Sequence, residues 1–199
     1  MLKRLFDIVA SAVALTVLAI PMLIIALAVR ITSPGAAIFR QRRAGWRGKP
    51  FTMLKFRTMR ADVDPYGASP RSAEDARLTP LGRFLRATSL DELPQLLNIL
   101  AGQMSLVGPR PLYERQAELW NQRQRRRLEV RPGLTGYAQA YGRGALRHEE
   151  KLEMDVYYVE HQSFLLDMRI ILRTVANIAS GRQRVYEERY SAAKDRETD

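Results

Sequence analysis

The chain of 199 residues contains no cysteine, which excludes disulfides, thiol nucleophiles and cysteine-ligated zinc. Histidine is almost as scarce: His148 and His161 alone do not make a histidine-rich metal centre. Acidic residues are also in short supply, 21 Asp and Glu against 32 Lys and Arg, leaving a net charge of +11. Such an excess implies an anionic partner, whether phosphate, nucleic acid or a lipid surface, and does not choose among them. The length suits one ordinary domain with a modest extension.

Long apolar runs are missing too, with one exception. Ile8 to Val29 (IVASAVALTVLAIPMLIIALAV) is uncharged and almost wholly apolar. As a straight helix those residues would reach roughly 33 Å, close to the roughly 30 Å hydrocarbon core of a bilayer. Lys3 and Arg4 before the run and an Ala26-Leu27-Ala28 stretch within it also fit a cleaved signal peptide, though the run is long for one. Pro21 gives a third reading, because proline removes the hydrogen bond to the Val17 carbonyl and predicts a kink or break. Basic residues flank both ends, Lys3 and Arg4 on one side and Arg30, Arg40, Arg42 and Arg43 on the other. The positive-inside tendency then places both ends on the cytoplasmic side, as in a re-entrant helix. The residues by themselves leave spanning and re-entrant helices open.

After this segment, Ile38-Phe39 and Phe51 to Phe56 flank a basic, glycine-containing turn, which predicts a β-hairpin. Residues 61–78 are polar and turn-rich and read as a surface loop. Asp62-Val63-Asp64 within it matches a D-x-D metal pattern, but so short a match carries little weight. Thr79-Pro80 predicts the N-cap and first residue of a short helix, and Leu93 to Ala101 predicts the next, stopped by Gly102. Gly108 and two prolines make a stiff frame around Arg110. Leu112 to Val130 reads as one basic helix with Leu112, Leu119 and Trp120 on a membrane-facing side. Arg131 to Arg143 reads as turn, strand, turn, and the spacing of Phe164, Met168, Ile171, Val175 and Ile178 predicts an amphipathic helix. The charged residues from Gly181 onward are expected to be loosely held.

The most informative stretch is Ser89 to Leu96 (SLDELPQL). Ser89 and Glu92 have the spacing of a capping box, which would make the acidic pair a helix start and nothing more. Pro94 disturbs that reading, because a helix capped by Ser89 would carry the proline in its interior. If Pro94 instead begins the helix, Asp91 and Glu92 lie in the preceding turn with side chains free to act. An ionised aspartate can attack phosphorus without a general base, giving a reactive acyl phosphate. Paired carboxylates repel an incoming diphosphate, so Mg²⁺ or arginines must neutralise the site. Arg83, Arg86, Arg110 and Arg143 are the candidates in nearby motifs.

With these residues in view, the chain resembles the bacterial sugar transferases of the monotopic polyprenol-phosphate phosphoglycosyl transferase family. It is similar to the small members that initiate glycoconjugate assembly, including that of bacterial protein N-glycosylation. The likeness runs from KRLFD (3–7) through LKFRTM (54–59), SLDELPQLLNIL (89–100), SLVGPRPL (105–112) and RPGLTGYAQ (131–139) to DVYYVEHQSFLLD (155–167). It implies an α+β, mainly helical fold: a re-entrant membrane helix broken near Pro21 (1–32), a cytoplasmic catalytic domain with a small hairpin and interfacial amphipathic helices (33–180), and a charged tail (181–199). It also implies a ping-pong transfer of sugar 1-phosphate from a UDP-sugar to polyprenol phosphate at the cytoplasmic face of the bacterial inner membrane. Asp91 would be the nucleophile and, with Glu92, the Mg²⁺ site. Arg86, Arg110, Arg143 and Asp155 would contact substrate, and Lys3 and Arg4 would sit at lipid headgroups. Ile20 stands where the family often has a small polar residue before the membrane proline. Neither the sugar nor self-association into a homo-oligomer can be read from these motifs.

Two rivals come from other classes. The basic run from Arg123 to Arg131 could bind nucleic acid, although no nucleic-acid motif accompanies it. A non-catalytic membrane scaffold would not need the intact Asp91, Glu92 and arginine motifs. The expectation is therefore an enzyme that binds no nucleic acid.

Overall fold

The computed structural model describes residues 2–64, 66–67, 70, 72–142 and 146–180. Arg143 and the tail from Gly181 lie outside the described residues. The chain is mainly helical, with two small two-stranded sheets, in agreement with the α+β expectation.

The apolar segment forms α1 (Leu2–Thr32), about 46 Å long at 1.5 Å per residue. Asp7, Ser11, Leu15, Met22, Ile25 and Val29 recur at helical steps and face the rest of the protein. Leu5, Val9, Val13, Val17, Leu23 and Leu27 cover the opposite side and are exposed. The first two turns are tied down by polar contacts. The Asp7 carboxylate accepts from Ser105 Oγ (2.8 Å) and the Leu106 N–H (3.0 Å). Lys3 Nζ donates to the Val107 carbonyl (3.0 Å) and pairs with Asp167 (2.7 Å). Arg4 donates to the carbonyls of Ile99 and Leu100, near a helix C-terminus where a cation is favoured. At the far end, Val29 packs with Phe56 and Leu85, and Arg57 donates to the Ser33 carbonyl (2.7 Å). One domain thus holds both ends of α1. The helix is also continuous through Pro21, where the sequence led us to expect a break. Leu15 on one side of the proline and Met22 and Ile25 on the other all pack against the domain, which keeps the two halves in one helix.

The hairpin expectation holds. β1 (Ile38–Ala44) pairs antiparallel with β2 (Pro50–Phe56), Ile38 opposite Phe56 and Ala44 opposite Pro50. Alternate β2 side chains, Phe51 and Met53, enter a core with Leu96, Ile99 and Met104. The next helix, α2 (Pro80–Ala87), starts as predicted: Thr79 Oγ1 accepts from the Gly82 N–H (2.9 Å) and Pro80 is the first residue. α3 (Gln95–Leu100) follows, and Gly102, with φ of 78°, supplies the left-handed residue beyond its end.

A second sheet was not anticipated. β3 (Ser105–Val107) pairs parallel with β4 (Gly133–Thr135). Only glycine fits here, since a Cβ on Gly133 would stand 2.1 Å from the Gly108 nitrogen. The basic segment 112–130 is not one helix. It divides into α4 (Glu114–Glu118), α5 (Gln122–Arg125) and a 3₁₀ turn (Arg126–Glu129). Asn121 restarts the helix by accepting from the Gln124 N–H (2.9 Å), while Trp120 is drawn inside beneath the Arg127 guanidinium. Leu119 stays exposed and Trp120 buried, so they share no membrane-facing side. The turn-strand-turn expected at 131–143 is the short β4 and a π-helical turn (Ala138–Gly142). α6 (His148–His161) and α7 (Phe164–Ala179) complete the described chain, and Ser163 caps α7 at the Leu166 N–H. Tyr158 and Ile170 from these helices enclose Val107 and Ala140.

Candidate active site

Asp91 and Glu92 lie on a 3₁₀ turn (Leu90–Glu92) between α2 and α3. The capping box does not form: the Ser89 side chain caps no N–H, and Glu92 is engaged elsewhere. Pro94 is the N-cap of α3, one residue from the position expected of it. Ser89 takes a left-handed conformation, φ 56° and ψ 16°, uncommon for a residue with a Cβ. That backbone twist ends α2 abruptly, and Leu90 and Leu93 pin the turn into the core below.

Glu92 is held from two sides, by Lys55 Nζ of β2 (2.7 Å) and Arg110 Nη2 (3.1 Å). Burial alone would raise its pKa, but the two cations outweigh burial and hold it down at about 2. Asp91 differs. It is 7% exposed, and among the described residues its carboxylate has no hydrogen-bond or ion-pair partner. Burial pushes it up to about 6 against the pull of Lys55, and the Glu92 charge adds to the rise. At pH 7 it is still mostly ionised. One carboxylate is thus spoken for, and its neighbour is available.

Lys55 itself is pulled down by burial, with Glu92 opposing. Sequence reading quoted LKFRTM without giving this lysine a role. Its signal was a lysine in step with Phe51 and Met53 on alternate positions of β2, where lysine is seldom buried unless paired. Arg86 lies near Asp91, and among the described residues it makes a long contact to Thr58 Oγ1 (3.5 Å) while its buried Nε has no partner. Arg83 is placed on the exposed side of α2. Asp155, expected to touch substrate, is 2% exposed and paired with the buried Arg127. Arg127 also donates to the Arg110 carbonyl (2.8 Å), so the pair supports the Arg110 loop from behind. Lys3, Arg4 and Pro21 belong to α1, and the first two bond to protein as described above.

The remaining basic run is spent internally. Arg123 pairs with Glu153 and Glu160, Arg126 with Glu129 and Glu160, and Arg131 donates to the Gly102 carbonyl. Each arginine of this run therefore has a partner within the chain, although Arg123 and Arg126 remain at the surface.

For a divalent cation, the described residues contain no cluster of three or more acidic or histidine ligands. Asp91 and Glu92 offer two adjacent carboxylates. That set fits Mg²⁺, which is commonly held by one or two carboxylates and completed by substrate phosphates and water. It does not fit a structural metal.

Comparison with known proteins gives the same direction. The model of the bacterial sugar transferase family matches residues 1–181. A sugar transferase of Bacillus subtilis, EpsL, is 46% identical over 177 residues, covering 89% of this chain and 87% of the relative. A UDP-glucose:undecaprenyl-phosphate glucose-1-phosphate transferase of Caulobacter vibrioides is 44% identical over 185 residues, 88% of this chain and 69% of that protein. The exopolysaccharide production protein ExoY of Rhizobium meliloti is 38% identical over 197 residues, 92% of this chain and 87% of its own length. A match that takes in α1, the hairpin and the Asp91–Glu92 turn together means that the chain belongs to the bacterial sugar transferase family.

Proposed function

We propose that this protein transfers a sugar 1-phosphate from a UDP-sugar to polyprenol phosphate, giving polyprenyl-diphosphosugar and UMP through a phosphosugar carried on Asp91. The carrying observation is the contrast within the acidic pair. Asp91 is buried, mostly ionised at pH 7 and without a hydrogen-bond or ion-pair partner among the described residues, beside Glu92 that Lys55 and Arg110 hold in place. In the first step an Asp91 oxygen bonds to the β-phosphorus, and the bond from that phosphorus to the bridging oxygen breaks. UMP leaves with the electron pair. In the second step a phosphate oxygen of the lipid bonds to the same phosphorus, and the Asp91 carboxylate is released. Arg110, Lys55 and Arg86 supply positive charge for the oxygens on which negative charge gathers. Mg²⁺ bound at Asp91 and Glu92 would supply further charge neutralisation of the diphosphate. Relatives named for UDP-glucose and undecaprenyl phosphate support this substrate pair, and make UDP-glucose the first sugar nucleotide to try.

The anchor reading is monotopic, with the catalytic domain on the cytoplasmic face of the inner membrane. Its support is that one domain grips α1 near Lys3 and again near Val29 and Ser33, while the outward face of α1 carries Leu5, Val9, Val13, Val17, Leu23 and Leu27 and no exposed charge before Arg30. A helix crossing the bilayer would have to separate those two attachment points. Single cysteines at the exposed positions Leu2 and Arg40 should react with an impermeant thiol reagent from the same side of inner-membrane vesicles. Labelling from opposite sides would refute a monotopic anchor. For the chemistry, UMP release should be measured with a panel of UDP-sugars, with and without polyprenol phosphate. A ping-pong enzyme releases UMP in an amount matching active sites before the lipid is added, and failure to do so with every UDP-sugar would overturn the mechanism.

A further inference from the structure

Arg42 and Arg43 are consecutive on β1, and their surroundings are opposite. Arg42 is exposed and pairs with Glu114 (2.8 Å), as a surface arginine ordinarily does. Arg43 points to the other face, as alternation along a strand requires. Its guanidinium stacks on the Tyr113 ring, 3.8 Å from the centroid, and donates to Gln41 Oε1, while Gln41 in turn donates to the Tyr113 hydroxyl (3.3 Å). Among the described residues no carboxylate pairs with it, and its buried Nε has no partner. Burial lowers its pKa to about 10, so it remains charged at neutral pH. A largely buried cation without a counter-ion is costly, and the cost is recovered when an anion binds beside it.

Arg110 is close enough to Arg43 for the two charges to repel. The backbones that carry them are joined, since the Ala44 N–H donates to the Leu112 carbonyl (2.9 Å). Arg110 reaches Glu92 on its other side. Glu92, next to Asp91 in the turn, is thus linked through Arg110 to Arg43, so one cation lies between the acidic turn and the other.

We infer that Arg43, presented by Tyr113 and Gln41, forms with Arg110 a single phosphate-monoester subsite used first by the departing UMP and then by polyprenol phosphate. This rests on the two-step transfer proposed above. The sharing follows from stereochemistry: displacement at phosphorus is in line, so UMP leaves on the side opposite the Asp91 oxygen. The lipid phosphate must then attack the phosphoaspartate from that same side. Both reactants are phosphate monoesters, and both need positive charge at one place. Arginine supplies it with planar, directed donors.

The test compares Arg43→Gln, Arg43→Lys and, as a surface control, Arg42→Gln in the full chain with lipid present. Wild-type protein must release UMP on mixing with a UDP-sugar; if it does not, the two-step reading fails and the subsite falls with it. Given that release, Arg43→Gln should raise KM for both the UDP-sugar and polyprenol phosphate, and the Ki of UMP, by about tenfold or more, as expected for a lost charge-assisted bond. Arg43→Lys should recover part of each loss, and Arg42→Gln should change none of them. UMP binding to Asp91→Asn protein, measured calorimetrically, should weaken to the same degree when Arg43→Gln is added, a readout independent of turnover. Melting temperatures separate this from misfolding, and the lysine variant preserves the test if the glutamine variant does not fold. Unchanged constants in both variants would overturn the subsite. A rise confined to UDP-sugar and UMP would overturn its sharing with the lipid.

Discussion

Two basic regions of this protein look alike in sequence and behave as opposites in the fold. In the run from Arg123 to Arg131, Arg123 and Arg126 meet carboxylates, Arg125 and Arg131 meet carbonyls, and Arg127 is buried against Asp155. In the second region, Arg86 beside Asp91 and Arg43 beside Arg110 have no carboxylate partner among the described residues, and Arg110 shares Glu92 with Lys55. The net charge of +11 therefore says little about where an anion binds. The informative charge is the part that the protein does not neutralise for itself.

The largest effect should come from the centre of the second region. Asp91→Asn should lower UMP release by ~10³-fold or more, since the amide is a poor nucleophile, and abolish any covalent phosphosugar seen by intact-protein mass spectrometry. A covalent adduct persisting in that variant would move the nucleophile elsewhere.

Arg127 is the exception within the first region, and it should separate from its neighbours in denaturant. Arg127→Met leaves the Asp155 charge buried and unpaired, a loss of about 3–5 kcal/mol, whereas Arg126→Ala should stay within about 1 kcal/mol of wild type. Adding Asp155→Leu to Arg127→Met should restore much of the stability but not the support at the Arg110 carbonyl. Equal behaviour of Arg126 and Arg127 variants would erase the distinction between a spent surface charge and a structural one.

A smaller effect should appear with pH. Asp91 is raised to about 6, and the proposed attack needs its anion, whose fraction falls as pH falls through that value. Single-turnover UMP release should drop roughly tenfold from pH 7 to pH 5. Higher Mg²⁺ should move the fall to lower pH by favouring the carboxylate. A flat profile over this range would mean that Asp91 is not the group whose ionisation limits the step.

Much of the fold could be read from local signals. Thr79-Pro80 marked α2, the aromatic runs marked the hairpin, and the spacing from Phe164 to Ile178 marked α7, because each depends on near neighbours in sequence. The parallel pairing of β3 with β4 could not be read in this way. It joins three-residue strands separated by α4 and α5, and its evidence was only the bare glycines 108 and 133. At the site, the local irregularity of Pro94 identified the acidic turn. Lys55 and Arg43 escaped notice because alternation shows that a strand residue faces inward, but not what it faces. Arg127 was hidden among similar residues, and only burial distinguishes it from Arg126.

Asp7 gives the anchor a meaning beyond attachment. Its carboxylate serves Ser105 and Leu106, the beginning of the strand that runs through Val107 and Gly108 into the loop bearing Arg110. The apolar helix α1 is consequently one wall of the domain. Trimming residues 1–32 to obtain a soluble catalytic fragment would strand those donors and bare the cores capped by Leu15 and Val29. In this architecture the apolar helix and the strand leading to Arg110 share the same contacts, so removing the one should disturb the other.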